Sequence, residues 1–152
     1  MSIFTPAEVE YLTTQPLGRI ATVGKDGRPH VMPVGVFYDP DTDALVIGSA
    51  ADMVASKKFR DARANPDIAV VVDDLASVDP WTPRGIEVRG RAEVHLDGGA
   101  EVGKRLGAGF PFHPAYLAIH PRRVVAWGID TDSFTTRARD VTAPGTRPRS
   151  SV

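Results

Sequence analysis

The sequence predicts a mainly β domain of the α+β class, a small barrel of about six antiparallel strands whose ends are plugged by short helices. Three observations carry this reading. Short apolar runs recur along the chain, separated by glycine, proline and aspartate turns. The run "GIEVRGRAEVH" (85–95) alternates Ile86, Val88, Ala92 and Val94 with Glu87, Arg89, Arg91 and Glu93, the signature of a half-exposed strand. Most connections between runs are too short for the crossover helices that a parallel, doubly wound sheet requires.

The elements follow in order. Near the start, Thr5 caps a short helix, Pro6 fits its first turn, and Glu8 completes a T-x-x-E capping box. Val9 and Leu12 give that helix an apolar edge, and Pro16 ends it. Strands are expected at 18–24 and 30–38, joined by a hairpin turn at Asp26-Gly27. The turn "DPDTD" (39–43) leads to a third strand at 44–49, so these three read as a meander. A helix follows at about 52–64, with Ala55, Phe59 and Ala62 as its buried stripe and Asn65-Pro66 as its stop. "DIAVVVDD" (67–74) is nearly all apolar, as in a strand covered on both faces. In the 85–95 strand, Gly90 interrupts the buried series and marks a bulge or a close approach. A glycine-rich helix is expected at about 98–108, and a final strand pair at 115–130, split near Pro121. The barrel domain is taken as 1–139. Residues 140–152, rich in Thr, Pro, Arg and Ser, read as a flexible C-terminal tail.

Composition excludes several functions. Eighteen Lys and Arg against nineteen Asp and Glu give a net charge of −1, which lacks the basic excess of a general nucleic-acid surface. The chain has no cysteine, which removes disulfides, thiolate catalysis and Cys-based metal sites, and fits a reducing cytoplasm. No basic region followed by an apolar run opens the chain, and no stretch approaches the ~20 apolar residues of a membrane span. A cytoplasmic protein with neither a nucleic-acid nor a membrane partner is expected. "DPDTD" has Ala44 and Ala50 where a calcium loop needs glycine and glutamate. His30, His95, His113 and His120 show no i, i+3 or i, i+4 spacing, so no metal site is expected. A Walker loop, a G-x-G-x-x-G after a strand and a G-x-S-x-G are all missing.

One feature stands out from this near-neutral background. "GSAADMVASKKFRDARANP" (48–66) gathers Lys57, Lys58, Arg60 and Arg63 beside a strand end. Charge alone leaves two readings open. The first is a solvated helix face, in which Asp61 pairs with Lys57 at i, i+4. The second is an anion site, in which the helix start offers free N–H groups, Ser49 a hydroxyl, and Lys57 and Lys58 their ammonium groups.

Four segments in fixed order carry a resemblance: "GRIATVGKDGRPHVMPV", "GS…SKKFRDARANPDIAVVVDD", "PWTPRGIEVRGRAEV" and "IHPRRVVAWGID". Together, over about Leu17 to Asp130, they resemble the pyridoxamine-5′-phosphate-oxidase-like split β-barrel flavoproteins, and most closely the branch that uses the deazaflavin coenzyme F420. The resemblance implies a homodimer with two cofactor sites at the subunit interface and a small-molecule substrate. It implies that Ser49, Ser56, Lys57 and Lys58 hold the cofactor phosphate, Lys58 matching the most characteristic lysine. Pro33 and Val34 match the strand whose backbone lies against the ring. Arg84 matches a further phosphate partner, and Trp127 an aromatic near the interface or a packing residue. The arginine-rich strand of true pyridoxamine phosphate oxidases is missing, so the vitamin-B6 reaction is not expected. The implied function is F420-dependent hydride transfer to a small organic acceptor. The alternatives are an FMN-dependent oxidoreductase on the same barrel and a non-catalytic flavin- or haem-binding protein. No residue stands out as an acid–base catalyst; His30, Tyr38 and Tyr116 are the groups that could supply a proton.

Overall fold

The computed structural model describes residues 2–141. The elements run α1 (Pro6–Thr14), β1 (Leu17–Val23), β2 (Pro29–Gly35), β3 (Phe37–Asp39), β4 (Ala44–Ile47), α2 (Lys57–Ala64), β5 (Asp67–Ser77), β6 (Thr82–His95), α3 (Gly99–Arg105), β7 (Tyr116–Trp127) and β8 (Thr136–Asp140). The eight strands make one antiparallel sheet in the order β2-β1-β5-β6-β7-β4-β3, with β8 beside β7. Only Val36 separates β2 from β3, yet these strands stand at opposite ends of the path. The two ends of the sheet must therefore approach each other, and the sheet curls into a half-barrel. Val36 is 2% exposed and donates its N–H to the carbonyl of Pro16.

This arrangement corrects four expectations from the sequence. The stretch 30–38 is two strands rather than one, so 18–49 is a pair of hairpins on opposite sheet ends and not a meander. The described residues hold eight strands rather than about six. The stretch 115–130 is not a split pair, because β7 runs unbroken through Pro121. Proline is tolerated there because Pro121 lies opposite Gly90 at a register shift, where a ladder N–H is not needed. A Cβ at Gly90 would collide with the carbonyl of His120, so the close approach expected at this glycine is real. Finally, Thr136–Asp140 form β8, a strand hidden by its polar sequence, which runs one residue past the expected domain limit. The remainder of the expected tail, 142–152, lies outside the described residues.

Inside the curl, Ile20, Leu45, Ile47, Phe59, Leu117 and Ile119 are fully buried. Each such side chain contributes about 1.5–3 kcal/mol. The capping box of α1 forms as expected: Thr5 Oγ1 accepts from Glu8 N, and Glu8 Oε1 accepts from Thr5 N. Glu8 is 1% exposed and is bound by Arg139 of β8, which ties the last strand to the first helix. No helix among the described residues is long and apolar enough to cross a membrane.

Candidate cofactor site

The basic helix starts later than its periodicity suggests. Asp52 Oδ1 accepts from the N–H groups of Val54 and Ala55, closing a separate turn. Ser56 is the N-cap, its hydroxyl accepting from Phe59 N at 3.4 Å and donating to the Met53 carbonyl at 2.6 Å. Helix α2 thus begins at Lys57 rather than at about 52, and Lys57 and Lys58 are its first two residues. Their N–H groups belong to the set that no helix satisfies internally. Ala55, expected in the buried stripe, is exposed ahead of the helix, and Met53 is buried there in its place.

The inner face of α2 carries Lys58, Phe59, Asp61 and Ala62, an unusual share of charge for a buried face. Asp61 is accounted for. Its carboxylate accepts from Thr22 Oγ1 at 2.8 Å and from Lys57 Nζ at 3.0 Å. Burial alone raises its pKa, but these two donors hold it below the ordinary carboxylate value. The i, i+4 pair expected for Lys57 therefore forms. Lys58 is different. It is 6% exposed, and among the described residues it has neither an ion-pair nor a hydrogen-bond partner. Burial pushes its ammonium pKa below the ordinary lysine value. Its stem is packed away while its Nζ is not among the side-chain atoms sealed from solvent without a partner, so the ammonium stands at the edge of the interior, where an anion can reach it.

Other groups complete this end of the sheet. Ser49, just beyond β4, accepts from Ala51 N at 3.0 Å through its hydroxyl and from His113 N at 2.6 Å through its carbonyl. His30 lies opposite Thr22 in the β1–β2 ladder, and its Nδ1 is buried with no hydrogen-bond partner. On the outer side of α2 lies an open cleft of about 720 Å³, lined by Lys25, Lys57, Arg60 and Arg63 with Asp26 and Asp61. Lys58 is not in that lining, being about 100° round the helix from Lys57. Among the described residues, no three His, Asp or Glu side chains converge as metal ligands would.

The remaining site residues read from sequence fall elsewhere. Pro33 and Val34 lie in the outermost strand β2, opposite Arg19 and Gly18. Pro33 is exposed, whereas the Val34 side chain is buried in the core, so Val34 offers a ligand only its backbone. They stand three to four residues along β2 from His30, roughly 10–13 Å. Arg84 forms a two-pronged ion pair with Asp74 at 2.8 and 2.9 Å, and its guanidinium lies over the Tyr11 ring. Trp127 pairs with Gly85 and Thr136. Both belong to the far end of the sheet. Asp74 is seven residues along β5 from Asp67, where α2 delivers the chain, roughly 23 Å away. Ser56, Lys57 and Lys58 are consecutive at the start of α2, Ser49 lies just beyond β4 with Ala51 and His113 as its partners, and Arg84 and Trp127 lie at the far end of the sheet. Of the possible proton donors, Tyr38 donates to Asp43 at 2.7 Å, and Tyr116 is stacked under His95 with ring centroids 4.5 Å apart. Burial raises the pKa of both phenols.

The segment "GAGFPF" (107–112) packs Phe112 over Gly48 and Gly103, both of which lack the Cβ that would collide with its ring. It leaves Phe110 partly exposed beside Gly35. Two phenylalanines flanking one proline in a glycine-rich loop were the available signal.

Comparison with known proteins agrees with this architecture. Residues 4–131 match the family model described as pyridoxamine 5′-phosphate oxidase. A curated protein of Streptomyces rimosus, 5a,11a-dehydrotetracycline/5a,11a-dehydrooxytetracycline reductase, is 39% identical over 141 residues, covering 92% of this chain and 94% of its own. Among solved structures, the conserved hypothetical protein Rv2991 from Mycobacterium tuberculosis superposes with a TM-score of 0.63 at 20% identity, over 83% of this chain and 86% of that one. A structure described as F420 reductase superposes with a TM-score of 0.57 at 25% identity, over 76% of this chain and 94% of that one. The resemblance read from four ordered segments is borne out: this chain belongs to the pyridoxamine 5′-phosphate oxidase family.

Proposed function

We propose that this protein is an oxidoreductase that binds the deazaflavin F420 and reduces an activated carbon–carbon double bond in a flat polycyclic substrate of the dehydrotetracycline type. The observation that carries the proposal is Lys58, a cation 6% exposed, unpaired among the described residues and set in the first turn of α2. A phosphate there meets a positive helix end, free N–H groups and an ammonium with no competing carboxylate, all of which favour an anion. The 39% identity to a reductase over nearly the full length of both chains supports the reaction class, and the likeness to an F420 reductase supports the cofactor.

When bound, a reduced deazaflavin supplies a hydride to one carbon of the double bond, while the other carbon takes a proton. The chain's own part is to bind and to orient. Lys58 and the start of α2 hold the phosphate. Lys25, Arg60 and Arg63, with Asp26 and Asp61 among them, line a separate cleft on the outer side of α2, a basic surface for the further anionic groups of a long cofactor. The exposed Pro33 side chain and the Val34 backbone beside it form the surface against which the ring is laid. Arg84 and Trp127, distant from Lys58 within one chain, reach a cofactor only if a second copy brings them, which fits a homodimer with shared sites. Exposed Leu17, Val31, Val78 and Trp81 supply apolar surface for such pairing. The reading keeps the protein cytoplasmic, with a small-molecule substrate and neither nucleic acid nor membrane as partner.

The test is to titrate the purified chain separately with F420, FMN and haem, following absorbance and fluorescence. Saturable F420 binding, with recovery of oxidised deazaflavin absorbance as a dehydrotetracycline is reduced, is the expected result. Retention of FMN with no affinity for F420 would establish the FMN reading. Binding of haem alone, or of none of the three, would leave a binding module. Sedimentation showing a stable monomer would remove the shared-site arrangement.

A further inference from the structure

We propose that Phe110 is the platform on which the substrate's flat apolar body lies, with Lys104 at the rim as the partner for an anionic oxygen on that body. This rests on the reductase reading and names the surface that selects its substrate. The platform stands on an anchored loop. Phe112 is 5% exposed and is wedged between Gly48 and Gly103. The backbone around it is bonded at both sides: Ala108 N donates to the Gly103 carbonyl, His113 N to the Ser49 carbonyl and Gly99 N to the Pro114 carbonyl. Phe110, two residues before the wedge, belongs to a cluster with Phe112 at 5.3 Å and Phe37 at 6.2 Å between ring centroids. It nevertheless remains 37% exposed. An aromatic ring held by two others and left open on one side is a stacking surface.

Its position ties it to the site. The Phe110 ring adjoins Gly35, the residue after the Pro33–Val34 wall, and the same loop is bonded to Ser49 at the approach to α2. Phe110 lines a groove of about 330 Å³ together with Ala100, Lys104, Ala108, Pro111 and Phe112. None of its lining residues is acidic, and Lys104 has no ion-pair partner among the described residues. Charge complementarity thus selects an occupant that is apolar over most of its body and carries one negative oxygen, such as a phenolate or enolate. A neutral apolar ligand would leave Lys104 unused, and a highly charged one would find no second cation in the groove.

The probe is tetracycline, a flat polycycle with acidic enol and phenol groups, titrated by calorimetry into the full chain loaded with F420. Phe110→Ala is expected to weaken its binding about tenfold, and Phe110→Tyr, which keeps the ring, by less than about twofold. Lys104→Met is expected to weaken it several-fold. F420 affinity, titrated separately in each variant, should stay within about twofold of the parent chain. The inference is overturned if tetracycline binds with unchanged affinity in Phe110→Ala and Lys104→Met, or does not bind saturably to the parent chain. Failure of the reductase reading is distinguishable, because it appears as absent cofactor binding in the F420 titration. Tetracycline titrated into that cofactor-free chain would still respond to both substitutions.

Discussion

Lys57 Nζ donates to both carboxylate oxygens of Asp61, at 3.0 and 3.1 Å, across one turn of α2. That pair divides the four cations of the basic helix by role. Lys57 is committed to Asp61, Arg60 and Arg63 line the open cleft, and Lys58 alone is carried into the interior. The helix thus carries both the i, i+4 pair of a solvated face and one lysine with little exposed surface.

The first prediction concerns affinity. Lys58→Ala should weaken F420 binding by about 1.5–3 kcal/mol, roughly tenfold to somewhat over a hundredfold, the scale of a charge-assisted hydrogen bond. Lys57→Ala should weaken it less, because its ammonium is already neutralised by Asp61. Fluorescence titration of both variants checks the ranking, and equal losses would remove the distinction between the two lysines.

The cofactor-free chain should respond to pH through Lys58. Burial lowers this lysine's pKa in the folded state, so the unfolded chain binds more protons as pH approaches the ordinary lysine value. Stability therefore rises with pH in that window, as the penalty for burying the ammonium is relieved. Denaturant melts taken as pH is raised toward the ordinary lysine value of 10.5 should show this rise in the parent and not in Lys58→Met. At neutral pH the Met variant should be the more stable of the two. A steeper rise in Lys58→Met than in the parent would contradict the assignment.

Arg139 and Glu8 offer a test of the fold. Glu8 is 1% exposed and accepts from Arg139 through both carboxylate oxygens, while also completing the α1 cap. Arg139→Ala leaves that buried carboxylate without its cation and should cost about 3 kcal/mol, the scale of breaking a buried pair from one side. Adding Glu8→Gln should recover part of the loss, measurable as a coupling energy in a double-mutant cycle. Strictly additive losses would mean that the pair does not bind β8 to α1.

Gly48→Ala should be destabilising by about 1–3 kcal/mol, since a Cβ there meets the Phe112 ring. The substitution also displaces the loop whose His113 N–H is bonded to Ser49, so cofactor affinity should fall with stability. Pairing it with Phe112→Leu should restore part of the melting temperature. No restoration would show that the collision is relieved elsewhere.

The local devices were legible in the sequence because each depends on neighbouring residues. The capping box of Thr5 and Glu8, the Asp26-Gly27 hairpin, the alternation of 85–95, the Lys57–Asp61 pair and the close approach at Gly90 all appear as expected. The start of α2 is not legible in this way. Asp52 and Ser56 are both good caps, and sequence spacing does not say which one the fold uses. Strand β8 was missed because its "TRARD" sequence has no buried apolar face; its reason for pairing is Arg139 reaching a carboxylate 131 residues away.

By itself, then, the sequence determined the antiparallel class, the approximate place of most elements and the one helix on which positive charge is gathered, since periodicity, turn chemistry and composition are local properties. Only the tertiary structure decided that β2 and β3 part at Val36 to opposite ends of the sheet, that Lys58 rather than Lys57 enters the interior, and that Arg84 is bound by Asp74 far from both. The physical reason is the same in each case. Which charge is buried, and which partner it meets, depends on how a curled sheet brings distant residues together, and no window of neighbouring residues encodes that curvature.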